Sequence, residues 1–133
     1  MANDIEQELE RTTRMRNFRY GLHDFEAQLW GADYLKKHND HTEANYLKKG
    51  LIDRKTKEMV IIATCAALKD SPEHMQCHMH AAKNAGISPE EILEMLELIG
   101  GWMGNVAKIN ALEAWRATFR PDIPTIDRVV ELR

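Results

Sequence analysis

Apolar residues along this chain recur at helical intervals from near its start to residue 119, and strict alternation of apolar and polar positions is nowhere sustained. Between Asp4 and about Phe18 they are sparse among many charges, which predicts a first helix that is exposed or faces a partner. A second helix is expected from His23 to about Lys49 on Phe25, Leu29, Ala32, Leu35, Tyr46 and Leu47, with Gly50 as its stop. His38-Asn39-Asp40-His41 is a candidate interruption. After Asp53, a candidate cap, the positions Met59, Val60, Ile61, Ile62, Ala63, Ala66, Ala67 and Leu68 are apolar nearly all round. That pattern marks a central, buried helix.

Two later helix starts follow from local chemistry. Ser71 can cap, Pro72 suits the first helical position because its missing N–H would be unpaired there, and Glu73 suits the positive end of the dipole. Gly86 supplies a stop, and Ser88-Pro89-Glu90-Glu91 reads as a capping box. Ile92, Leu93, Leu96, Ile99 and Met103 then form an apolar face. Gly100-Gly101 predicts a flexible break before Val106, Ile109, Leu112, Ala114 and Phe119. Pro121 and Pro124 end regular structure and leave a tail with Ile126, Val129, Val130 and Leu132. No internal repeat is present. The expected fold class is all-α, a compact bundle of about six helices.

A chain of 133 residues is expected to be one domain spanning residues 1–133, able to bury about two-thirds of its unfolded surface without disulfides or a structural metal. The formal charge of −3, with both signs interspersed, gives no argument for nucleic acid or for an anionic membrane. The opening residues are too acidic and polar for a signal peptide, and no apolar run approaches membrane-spanning length, so a cytoplasmic location is expected. Cys65 and Cys77 read as reduced thiols, although a hairpin would bring them together. The first helix, the methionine stripe and the aliphatic tail offer more apolar surface than one small domain needs to bury, which predicts a stable homo-oligomer.

Candidate chemistry concentrates in Asp70–His80, which holds three of the six histidines and one of the two cysteines. His74 and His78 stand four residues apart on one helical face, with Cys77 and His80 on an adjoining one. A histidine titrates near neutrality, which suits proton transfer. Histidines at i and i+4 are also half a metal site, but no third ligand is fixed by spacing, so neither metal nor cofactor is expected. Glu58, in the first turn of its expected helix, reads on its own as a carboxylate placed there for dipole reasons.

The run Gly50-Leu51-Ile52-Asp53-Arg54-Lys55-Thr56-Lys57-Glu58, then His78, then Ala85-Gly86-Ile87-Ser88-Pro89-Glu90-Glu91-Ile92, resembles the carboxymuconolactone decarboxylase family, which includes alkylhydroperoxidase D-like proteins. The likeness is strongest over residues 50–119. It implies an alkylhydroperoxidase D-like helical fold assembled as a ring-like oligomer, commonly a hexamer. For the decarboxylase branch it implies lyase or isomerase chemistry without a cofactor, because the substrate lactone's conjugated carbonyl accepts the electrons released with carbon dioxide. His78 would be the general acid and Glu58 its orienting partner, in a small-molecule pocket at a subunit junction. Arg54, Lys55 and Lys57 would attract an anionic substrate. The chain lacks the proline and later histidine that those decarboxylases carry in the segment occupied here by residues 104–111.

For the peroxidase branch the resemblance implies a thiol-dependent peroxiredoxin-like activity. Ser71 and His74 stand where those proteins carry their two cysteines, so Cys77 would have to serve as nucleophile and Cys65 as the resolving thiol. A third reading is a non-catalytic oligomer that binds a small ligand or a partner.

Overall fold

Six α-helices and one π-helical turn make up the computed structural model, which describes residues 2–133: α1 (Ala2–Arg16), α2 (Gly21–Thr42), the π-turn (Glu43–Leu47), α3 (Arg54–Ala67), α4 (Pro72–Asn84), α5 (Pro89–Met103) and α6 (Asn105–Phe119). Among the described residues there is no strand, so the all-α expectation holds. Among the described residues no helix is long and apolar enough to cross a membrane. The chain divides into two compact units, Met1–Arg54 and Lys55–Arg133.

In the first unit α1 packs along α2, and the seam is more polar than the apolar pattern suggests. Leu9, Ala27 and Leu35 are buried, with Ile5 against them. Beside them lie buried Thr12, Arg16, His23, Glu26, Asn39 and Thr42. Burial of Thr12, Arg16, Glu26, Asn39 and Thr42 is tolerated because these groups find partners. Thr12 Oγ1 donates to Asn39 Oδ1 (2.8 Å), Asn39 Nδ2 donates to Glu8 O (3.0 Å), and Arg16 Nη2 donates to Thr42 Oγ1 (2.6 Å). The first helix, expected to be exposed or to face a partner, is packed against α2 on one face, where polar contacts replace the missing apolar stripe.

Of the apolar positions whose spacing predicts α2, Leu35 is fully buried, whereas Phe25 and Leu29 are exposed, as are their neighbours Leu22, Trp30 and Tyr34. Nor does α2 break at His38–His41. Its one non-helical residue is Gly31 (φ 80°, ψ −177°), a conformation that glycine reaches at little cost.

In the second unit a continuous core joins Ile62 and Ala66 of α3, Met75, Met79 and Ala82 of α4, Ile92 and Leu96 of α5, and Ala111 and Ala114 of α6. The two expected N-caps form. Ser71 accepts from His74 N–H, and Ser88 and Glu91 exchange both bonds of a capping box. α3 is less central than its sequence suggests: Glu58, Ile62 and Ala66 are buried, while Val60 and Leu68 are exposed. The break expected at Gly100-Gly101 falls instead at Gly104 (φ 87°, ψ 163°). Gly100 is a buried helical residue where a Cβ would lie 2.8 Å from Lys108 Cδ, so it serves close packing.

Candidate functional site

The site begins with the way α3 ends. Lys69 takes a left-handed conformation (φ 56°), its N–H bonds Ala66 O (3.1 Å), and Asp70 N–H bonds Cys65 O (3.0 Å). This is a Schellman closure, which fixes Asp70 beside the last turn of α3. Ser71 N–H then donates to Asp70 Oδ1 (2.8 Å), and Asn110 of α6 donates to the Asp70 carbonyl (2.7 Å). Both ends of the turn are thereby braced. The first turn of α4 starts immediately afterwards, so His74 and His78 project along one face of a helix whose origin is held.

Four side chains form a continuous line. Glu58, fully buried, places Oε2 3.7 Å from His78 Nδ1, an ion-pair distance. His78 Nε2 lies 3.3 Å from His74 Nε2, with the ring planes at 74°. His74 Nδ1 bonds Asp70 Oδ2. Cys65 joins at this end: its Sγ, an Asp70 carboxylate oxygen and a His74 ring nitrogen all lie within 4.8 Å of one another.

An Nε2–Nε2 contact is stable only with one nitrogen donating and the other accepting, so a single proton lies between the two rings. Each Nδ1 is turned to a carboxylate, so the line runs carboxylate, imidazole, imidazole, carboxylate.

Burial would push the Asp70 carboxyl up, but hydrogen bonds from His74, Ser71 N–H and Cys65 outweigh it and hold the group below its ordinary value. The Cys65 thiol is driven the other way, to about 11, by burial first and then by the Asp70 charge and its hydrogen bond. Burial also raises the Cys77 thiol.

The expected residues therefore separate. Glu58 and His78 are brought together. Cys77 donates its S–H to Glu73 O one turn back on its own helix (3.5 Å). His80 leaves the other two histidines and sets its ring edge-on to Phe119 at 6.4 Å. Among the candidate cations, Arg54 lies over the Tyr46 ring, 4.3 Å from its centroid, and donates to the Tyr46 hydroxyl (3.1 Å).

Asp70, Asn110 and the place of Cys65 were not assigned from the sequence. The i, i+4 spacing of Asp70 and His74 was a usable signal, because that spacing lets a carboxylate reach an imidazole across one turn. Asn110 gives no such signal, since it reaches Asp70 from 40 residues away.

Compared with known proteins, residues 32–117 match the model of the carboxymuconolactone decarboxylase family. No curated protein and no solved structure matches the chain.

Proposed function

From the premise that the chain belongs to the carboxymuconolactone decarboxylase family, we propose that it performs cofactor-free acid–base chemistry on a small lactone or carbonyl compound, decarboxylation or a related lyase or isomerase step. His78 is the general acid and Glu58 its positioning residue. The observation that carries this reading is the fully buried Glu58 carboxylate 3.7 Å from His78 Nδ1. A carboxylate there orients the ring and stabilises the imidazolium.

In a decarboxylation the C–C bond to the carboxylate breaks, carbon dioxide leaves, and the electron pair passes into the conjugated carbonyl as an enolate. His78 Nε2 protonates carbon and later regains a proton from solvent. Because His74 occupies Nε2 at rest, substrate must displace that ring. The His74 side chain is 34% exposed and that of His78 16%, so His74 is the freer to swing. The exposed apolar residues of α2, Leu22, Phe25, Leu29, Trp30 and Tyr34, favour assembly as a homo-oligomer, a hexamer on the family pattern.

A thiol peroxidase is the weaker reading. Both thiols are pushed upward, which leaves little thiolate at neutral pH, and thiolate is the attacking species.

The test is turnover of a panel of small unsaturated lactones, with and without a carboxylate, followed by ultraviolet absorbance and carbon dioxide release. His78→Gln should lower kcat by about 100-fold or more, the usual weight of a general acid. Glu58→Gln should lower kcat with KM little changed. Turnover that survives His78→Gln refutes the assignment.

A further inference from the structure

We propose that Cys65, Asp70 and His74 form a binding site for a zinc-type divalent cation, with one coordination position left to water. A thiol, a carboxylate and an imidazole are the donor set that zinc prefers. Their ligand atoms already lie within 4.8 Å of one another. Zinc bonds of about 2.0–2.3 Å require donors roughly 3.5 Å apart, so side-chain rotations on the order of an ångström complete the site.

The framework is built before any ion arrives. The Schellman turn fixes Cys65 relative to Asp70, the Ser71 N–H holds Asp70 Oδ1 and so presents Oδ2, and Asn110 anchors the Asp70 carbonyl. The surroundings suit a metal in a second, independent respect. A ligating histidine characteristically donates its other N–H to a neighbour that ends in a carboxylate. His74 ligating through Nδ1 carries its proton on Nε2, 3.3 Å from His78 Nε2, and His78 turns Nδ1 toward Glu58. The open position falls on the outer side, where the His74 and Asp70 side chains are 34% and 31% exposed.

Coordination needs no oxidant or reductant. The cation binds, the Cys65 thiol proton and the His74 Nδ1 proton leave to solvent, and the proton between the rings stays on His74 Nε2. His74 and His78 by themselves give only half a site; the fold adds Cys65 and Asp70 to His74 and leaves His78 in the outer shell.

The experiment uses the full-length protein in its purified assembly, stripped with chelator and titrated with Co²⁺ under reducing conditions, then with Zn²⁺ in competition. One equivalent of Co²⁺ per chain should give a thiolate-to-cobalt charge-transfer band that Zn²⁺ bleaches. Cys65→Ser should abolish the band, His74→Ala should weaken binding at least tenfold, and Cys77→Ser should keep the band. Circular dichroism and light scattering establish that each variant is folded and assembled. No band in the unmutated protein, or a band lost in Cys77→Ser and kept in Cys65→Ser, overturns the site and leaves a hydrogen-bonded cluster only. The readout is absorbance and metal content, so this proposal stands or falls separately from turnover by His78.

Discussion

His23 should make the first unit acid-sensitive, with a size that follows from its surroundings. Its side chain is buried, its Nδ1 has no hydrogen-bond partner, and its ring meets His38 edge-on at 5.3 Å. Burial first, then the positive charges of Arg16 and His38, lower its pKa from 6.5 to about 4, against smaller upward pulls from Asp24 and the Tyr20 backbone. Glu26 bonds the neighbouring His38 at Nδ1 (2.7 Å).

A histidine with a depressed folded-state pKa is protonated first in the unfolded chain. Its neutral form therefore supports the fold fully above about pH 6.5, and that support is lost as pH falls toward about 4. Between pH of about 7.5 and 5 the linkage relation gives a loss of about 2 kcal/mol, treating His23 as an isolated group. Urea unfolding of the unmutated protein and of His23→Phe, at several pH values and one protein concentration, measures it. Phenylalanine keeps a ring against His38 without titrating. The stability difference between the two should shrink or reverse by about 2 kcal/mol on acidification, while carboxylates contribute equally to both. Parallel pH profiles would refute the reasoning and place the protonated His23 in contact with water.

Two further outcomes are expected. Gly104→Ala should cost about 1–3 kcal/mol of stability by thermal unfolding, because φ 87° with ψ 163° is a region open essentially to glycine alone, whereas Gly101→Ala, helical and facing open space, should be neutral or stabilising by up to about 1 kcal/mol. Alkylation of Cys65 by iodoacetamide, followed by mass spectrometry in Cys77→Ser, should be slow at neutral pH and keep rising until pH nears about 11; rapid labelling at pH 7 would show a thiolate that burial and the Asp70 charge ought to prevent.

Local signals in the sequence were sufficient where local chemistry decides the structure. Ser71-Pro72 and Ser88-Pro89-Glu90-Glu91 start their helices as expected because the cap bonds span only three residues. Gly86 stops α4 because its φ of 94° suits a residue without a side chain. The reading failed where partners are distant. Leu9, Thr12 and Arg16 look like members of a charged, solvated helix until Asn39 and Thr42 of α2 bond two of them. Gly100 looks like a hinge until Lys108 is seen against it. At the site, Glu58 and His78 could be named from the resemblance, yet only the turn at Lys69 brings Cys65 and Asp70 to His74. Lys69 gave no warning, since a left-handed cap is more often glycine or asparagine.

His74 is the point at which the two proposals meet. Through Nε2 it shares a proton with His78, and through Nδ1 it faces Asp70 and Cys65. Protonation of a substrate by His78 Nε2 requires the His74 ring to leave. A cation on Nδ1 would pin that ring in place and commit its proton to His78 Nε2, which then accepts and has no proton to deliver. The occupied site and the proton-donating site are therefore mutually exclusive states of one side chain. Zinc should inhibit turnover by competing with substrate for the position of His74, and the Cys65→Ser protein, unable to complete the donor set, should resist that inhibition while still turning over. Equal inhibition of both proteins would mean that zinc acts elsewhere and that the two functions of His74 are not coupled.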